Sequence, residues 1–151
     1  MVRFNKVWKT LEGYEFVSFQ ARIERDRVVR YLDFLEQKEP ATLRPHACED
    51  VGAMLPTFTF TLEMDAGVVA DLAEVLAIPA HYLLHGEQSF VYKAPFRCGD
   101  LVTVESYIRD VTWKPDKHVC FFGKETHFLI GELLAVKSRS VYAVKTLKEH
   151  V

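Results

Sequence analysis

Two histidines of this chain stand beside carboxylates at spacings that permit proton transfer. His46 shares a short segment with Glu49 and Asp50, and a histidine with a carboxylate partner is a common general acid–base pair. His85 and Glu87 are two residues apart, so on a strand they face the same side and could orient a water molecule. Each pair also has a structural interpretation, because loop histidines are often solvated and polar groups near a strand often only satisfy hydrogen bonds.

The element that must position His46 is a long irregular segment. Apolar residues at three- and four-residue spacing predict an amphipathic helix over 24–37. Pro40 and Pro45 exclude regular structure immediately afterwards, so residues 38–57 are predicted to form an irregular, overhanging loop. Loops of this length in a compact domain are usually functional or cover a site.

A second helix is predicted over 64–78, ending at Pro79. It has few polar positions, so we expect it to be buried on more than one side. Glu63 and Asp65 would then stand at its start, where the helix dipole stabilises negative charge. Alternation and turn residues predict strands at about 14–20, 82–93, 101–112, 118–129 and 133–145. Their short connections favour antiparallel neighbours, and the sequence therefore predicts an α+β fold with one domain over 1–151.

Composition limits the function classes. The chain has 151 residues, of which 49% are hydrophobic and 26% are charged, with a formal net charge of −2. These values are ordinary for a soluble globular domain and give no bulk electrostatic reason to bind nucleic acid. The first residues carry too much charge for a signal peptide, and no apolar run reaches the length of a membrane span. We expect a cytoplasmic protein.

The three cysteines, Cys48, Cys98 and Cys120, form no CxxC motif. An odd count without paired spacing predicts reduced thiols, no disulfide and no zinc site. The sequence also has no glycine-rich phosphate loop, nucleophile elbow or metal-ligand spacing, so we expect neither a cofactor nor a metal.

Three blocks together resemble the N-terminal domain of the MaoC-like dehydratases, the FAS1-like dehydratase group of the hot-dog superfamily. The blocks are Leu55-Pro56-Thr57-Phe58, the segment from Leu84 to Asp100, and the segment from Gly131 to Ser140. The resemblance implies a hot-dog fold, in which a curved antiparallel sheet wraps round a central helix. It also implies an acyl chain beside that helix, at or near a dimer interface, with coenzyme A or acyl carrier protein outside.

Active members of the family interconvert enoyl and 3-hydroxyacyl thioesters with an acid and a histidine in the overhanging loop, in the pattern Gly-Asp-x-Asn-Pro-x-His. Aligned on Glu39-Pro40, this pattern places Gln37 at the acid position and Thr42 at the histidine position. Neither side chain can act as a base near neutral pH. The resemblance therefore implies a chain that lacks the standard dyad and forms the substrate-binding half, as a homodimer or beside a catalytic hot-dog subunit.

Three alternatives stay open. The chain could be a stand-alone enoyl-CoA hydratase that uses His46, or His85 with Glu87. It could be an acyl-CoA thioesterase that uses Glu63 or Asp65, because hot-dog thioesterases often carry a carboxylate on the central helix. It could also be a binding module without activity.

Four cations are candidates for contact with the phosphates of coenzyme A or the acidic face of a carrier protein. They are Lys93, Arg97, Lys137 and Arg139. The alternative is that they are the ordinary charges of a half-exposed sheet, since Lys137 and Arg139 alternate with an apolar set on the last strand.

Overall fold

The computed structural model describes residues 1–35 and 46–147 as a five-stranded antiparallel sheet with helices packed on one face. The strands are β1 (Phe19–Arg22), β2 (Leu83–Tyr92), β3 (Leu101–Lys114), β4 (Val119–Ile130) and β5 (Leu133–Lys145), in the order β1-β3-β4-β5-β2. The helices are α1 (Arg25–Phe34), α2 (Val51–Met54), α3 (Phe58–Asp65) and α4 (Val68–Val75). Short 3₁₀ turns cover Lys6–Leu11, His46–Cys48, Ala80–Tyr82 and Pro115–Lys117.

The predicted α+β class and the antiparallel pairing are confirmed. The four C-terminal strands lie close to their predicted ranges, because alternation and turn residues are local signals. The first strand begins later than predicted, at Phe19, and Glu15 makes only an isolated bridge with Tyr107.

The central helix differs from its prediction. It begins at Phe58 rather than near residue 64 and is broken into α3 and α4 around Gly67, whose φ is 78°. A residue in this left-handed region interrupts the α-helix, and glycine adopts it without a steric penalty. Glu63 and Asp65 therefore lie in the last turn of α3 and not at a helix start. The prediction that the helix dipole stabilises their negative charge is wrong, because the C-terminal end of a helix is its negative end.

The helices cover the inner face of the sheet, where the core divides into two groups of apolar side chains. The first apolar cluster includes Val28, Leu32, Leu55, Phe58, Leu62, Phe96, Val104, Phe128 and Val136. The second apolar cluster consists of Trp8, Leu72, Leu76, Ile108, Cys120, Phe122, Tyr142 and Val144.

The prediction that all cysteines are reduced is wrong for two of them. Cys48 and Cys98 form a disulfide with a Cα–Cα distance of 4.8 Å, although 50 positions separate them in sequence. The chain after His46 runs beside the turn that follows β2, and the Cys98 amide donates to the Cys48 carbonyl at 3.0 Å. Spacing along the sequence gives no hint of this approach. Cys120 is free and buried.

Among the described residues, none of the helices has the length and apolar character needed to cross a membrane.

Candidate functional site

A cavity of about 540 Å³ opens between the α2 segment and the end of β2. Its walls include Asp50, Gly52 and Pro56 on one side, and Tyr92 and Lys93 on the other. Apolar and aromatic walls with a few polar groups are typical of small-molecule sites. We call this cavity the β2 pocket.

Local contacts shape the β2 pocket. The Tyr92 hydroxyl donates to the Pro56 carbonyl, and burial raises the pKa of Tyr92 to about 12. The Asp50 carboxylate accepts from the Ala53 amide at 3.1 Å and so caps α2. Gly52 permits α2 to approach the tyrosine, because a Cβ at this position would lie 2.7 Å from the Tyr92 ring. The tyrosine is therefore held as a fixed wall.

The two walls of the β2 pocket are cross-linked just behind it. Besides the disulfide, the Val51 amide donates to the Phe96 carbonyl at 2.9 Å, and Arg97 Nε donates to the Glu49 carbonyl at 3.3 Å. The Arg97 amide also donates to the Asp100 carboxylate at 2.7 Å. These contacts hold the segment after His46 against the turn that follows β2.

His46 forms the pair predicted for it, but with Glu49 alone. Its Nδ1 lies 3.1 Å from Glu49 Oε2, and the two side chains are 60% and 72% exposed. Asp50 is used as the cap of α2 instead. The pair is accessible to solvent and does not line the β2 pocket.

His85 and Glu87 do not share a face of the sheet, so the prediction that they would is wrong. The pairing with β5 shifts between them, so that His85 opposes Tyr142 and Glu87 opposes Val141. Such a bulge reverses the alternation of side chains. The His85 ring stacks between Phe60 and Tyr142, with centroid distances of 5.2 and 5.0 Å, and its Nε2 lies 3.0 Å from the Glu87 backbone carbonyl.

Glu63 is buried in an ion pair with Lys124 of β4, and the two side chains are 2% and 1% exposed. Glu63 Oε1 accepts from Ser138 at 2.9 Å, and Oε2 accepts from Lys124 and from Thr126. Burial lowers the pKa of Lys124, and the neighbouring Glu63 opposes that shift. Both carboxylate oxygens are occupied, and this geometry favours a structural role over hydrolysis. Asp65 is exposed and pairs with Arg27.

The sequence matches the FAS1-like, dehydratase domain region over residues 10–133. The chain belongs to this family. A UPF0336 protein of Streptomyces avermitilis is 25% identical over 114 residues, which are 73% of this chain and 76% of that relative. The resemblance to MaoC-like dehydratases and the hot-dog fold are both confirmed.

Two solved structures from Mycobacterium tuberculosis share the fold of this FAS1-like dehydratase region. The C-terminally truncated HadBC (3R-hydroxyacyl-ACP dehydratase) complex has a TM-score of 0.65 at 14% identity, covering 88% of this chain and 96% of that chain. The ChsH1-ChsH2 complex has a TM-score of 0.60 at 12% identity, covering 91% of both chains.

The cations predicted to contact a phosphate separate onto different surfaces of this family member. Lys93 is exposed at the β2 pocket. Lys137 and Arg139 lie on the outer face of the sheet, where Lys137 pairs with Glu125 at 2.7 Å and Arg139 with Asp110 at 2.8 Å. Only Lys93 among these three lies at the pocket.

The positions aligned with the family dyad, Gln37 and Thr42, lie outside the described residues. Lys124 and the hydroxyls around it are functional candidates that were not predicted from the sequence. The sequence feature that could have identified Lys124 is the alternation on β4, which places it on the buried face between Phe122 and Thr126. Within residues 1–35 and 46–147, no group of acidic, histidine and cysteine side chains is arranged to hold a metal ion.

Proposed function

We propose that this chain binds acyl thioesters and forms the substrate-binding half of a MaoC-like (3R)-hydroxyacyl/enoyl thioester dehydratase–hydratase. The observation that carries the proposal is the β2 pocket, with Lys93 at its edge, in a chain of the FAS1-like dehydratase family. The pocket suits the thioester end of the substrate, and Lys93 suits a phosphate of coenzyme A or of a carrier's prosthetic group.

The division of labour follows from the chemistry. Adding water to an enoyl thioester requires a general base for the water and an acid for Cα, together with donors that polarise the carbonyl. In the alignment anchored on Glu39-Pro40, Gln37 and Thr42 take the positions of the family's acid and histidine. Neither His46 nor His85 lines the β2 pocket. In the proposal this chain orients the substrate, and a partner subunit supplies the acid–base pair.

The edge of β2 is the surface proposed for that partner. β2 pairs with β5 on one side, and no strand of the described chain covers its other side. Leu84, Val91 and Tyr92 on this strand are 48%, 53% and 38% exposed. An open apolar edge favours pairing with another strand. The partner proposed is a catalytic hot-dog subunit, in keeping with the likeness to the two Mycobacterium complexes.

Thermal shift and turnover together test the binding role. At a concentration one hundred times Kd, an acyl-CoA adds about 2.7 kcal/mol to the free energy of unfolding, which raises Tm by about 5–11 °C for a chain of this size. We expect this rise in Tm with octanoyl-CoA. We also expect no loss of enoyl absorbance when the chain alone is incubated with crotonyl-CoA. Free coenzyme A should shift Tm less, and Lys93→Glu should weaken binding of both. No shift with any acyl-CoA refutes the proposal.

Size-exclusion chromatography with light scattering tests the partner. A chain that stays monomeric alone and forms a one-to-one complex with a hot-dog subunit carrying the intact family signature supports the proposed half. A stable homodimer that does not bind such a subunit contradicts the proposed pairing with a catalytic partner and favours pairing between copies of this chain.

A second candidate is a stand-alone hydratase, favoured by the hydrogen-bonded pair of His46 and Glu49. Turnover of crotonyl-CoA by the pure chain would support it. His46→Ala should then abolish turnover while leaving the Tm shift with acyl-CoA unchanged, and His85→Ala serves as the comparison. Full activity in both variants excludes both histidines.

A further inference from the structure

Polar side chains cross the inner face of the sheet in a continuous band. Ser106 of β3 opposes Thr126 of β4, which opposes Ser138 of β5. One step further along, Lys124 opposes Ser140, which opposes Gln88 of β2. We call these six residues, together with Glu63 of α3, the polar band.

The polar band separates the two apolar clusters. On the same face, Val104 and Ile108 flank the band on β3, and Phe128 and Phe122 flank it on β4. Val104 and Phe128 belong to the first apolar cluster, and Ile108 and Phe122 belong to the second apolar cluster. The core therefore has a polar partition in its middle.

The charged part of the band is tightly bonded. Lys124 Nζ donates to Glu63 and to Thr126 Oγ1, the latter at 2.6 Å, and Thr126 and Ser106 share a hydrogen bond of 3.0 Å. The other end of the band is neutral, with Ser140 donating to Gln88 at 2.6 Å. Breaking into this network would leave a buried charge without its partner, which is expensive in a protein interior.

The band lies a short distance from the β2 pocket. Tyr92, in the pocket wall, opposes Val136 of β5, and Ser138 is two residues further along the same face. That step is about 7 Å along a strand. Phe58 at the start of α3 and Glu63 near its end are separated by about 7–8 Å along the helix. In the inference that follows, the acyl chain enters from the pocket between α3 and the sheet, where it contacts the first apolar cluster before it reaches the ion pair.

We infer that the Glu63–Lys124 pair sets the longest acyl chain this site accepts. The inference rests on the proposed acyl-thioester function and adds a specificity determinant to it. Methylenes packed in the first apolar cluster gain binding free energy, whereas methylenes that reach the band must displace hydrogen bonds to buried charges. Affinity therefore rises with chain length until the terminal methyl group reaches Glu63 and Lys124.

The experiment is an isothermal titration series with butyryl-, octanoyl-, dodecanoyl- and palmitoyl-CoA. Each methylene that finds apolar surface contributes about 0.8 kcal/mol, or up to about fourfold in Kd. In the wild-type chain this rise should stop within the series. In Glu63→Met/Lys124→Met it should continue, with palmitoyl-CoA bound at least about tenfold more tightly than by the wild type. Replacing a buried ion pair with apolar residues of similar volume often preserves stability.

Arg109→Met/Glu125→Met is the matched control. It removes an ion pair of 3.2 Å between neighbouring strands on the outer face of the sheet, so the chain length at which affinity stops rising should be unchanged. If the inner-face double variant does not melt cooperatively, Glu63→Gln/Lys124→Met replaces it. This variant keeps one acceptor oxygen, which can serve either the Ser138 or the Thr126 hydroxyl, and it should also extend the rise.

The possible failures are distinguishable. The inference is overturned if the affinity of the wild type keeps rising through palmitoyl-CoA. It is also overturned if the inner-face variants leave unchanged the chain length at which affinity stops rising. The proposed function is unaffected by either result. Absence of binding by every acyl-CoA overturns the proposed function itself.

Discussion

Removal of the disulfide should strongly destabilise the protein. The bond between Cys48 and Cys98 closes a loop with a sequence separation of 50. The chain-entropy relation gives about 4 kcal/mol for a loop of this length. For a chain of this size, 1 kcal/mol corresponds to about 2–4 °C in Tm. Cys48→Ala/Cys98→Ala should therefore melt about 8–16 °C below the oxidised wild type.

The assay combines thiol counting with thermal melting. After treatment with oxidised glutathione and denaturation, the wild-type chain should expose one thiol, that of Cys120, of its three cysteines. Reductant should lower the Tm of the wild type and leave that of the double variant unchanged. Comparing the reduced wild type with the variant separates the loss of the cross-link from the loss of buried sulfur.

Two results would refute the reasoning. One is the titration of all three thiols after oxidation, and the other is a Tm difference below about 2 °C between the oxidised wild type and the double variant. The result also bears on location, because disulfides are rare in a reducing cytoplasm. A cytoplasmic protein, as predicted from the sequence, would hold this pair reduced in the cell.

Three further perturbations follow from other contacts. Lys124→Met alone should lower the free energy of unfolding by about 3–5 kcal/mol, because it leaves the buried Glu63 carboxylate without its cation. In urea unfolding, Glu63→Met/Lys124→Met should recover most of that loss. Burial tends to raise the pKa of Glu125, but the hydrogen bonds from Lys137 and His127 outweigh it and lower this pKa to about 2. The stability that Glu125 contributes is therefore present above its unfolded pKa of about 4.3 and is lost as the pH falls toward 2. Glu125→Gln should therefore lower Tm at neutral pH and show a shrinking difference from wild type across that window; a constant difference would contradict this account. Gly67 has a φ of 78° and open space around it. Gly67→Ala should therefore lower the free energy of unfolding by about 1–2 kcal/mol through backbone strain alone. A Tm equal to that of the wild type would show that the backbone at this position adjusts freely.

Much of the sheet could be predicted because its signals are local. Alternation from Leu101 onward and the turns near Gly99 and Gly131 placed three strands within a few residues of their observed ends. The chain from β2 onward carries two of the three blocks on which the family resemblance rests. The second helix was placed too late because the aromatic residues from Phe58 onward belong to α3, and the break at Gly67 was not foreseen.

The site was predicted less well because its geometry depends on partners from other elements. His85 and Glu87 were expected on one face, but the shift in pairing with β5 separates them. Glu63 was interpreted as a helix-start acid, whereas 61 residues separate it from the lysine that neutralises it. Neither outcome can be derived from spacing within one segment.

The sequence by itself determined the α+β class, the antiparallel strands and the family, since these depend on side-chain period, turn residues and motifs that are contiguous in the chain. Only the tertiary structure decided which side chains meet: the disulfide, the β2 pocket, and the buried pair of Glu63 and Lys124. The physical reason is that strand register and helix packing bring distant segments within bonding distance, and burial then determines whether a charge is solvated or must be paired.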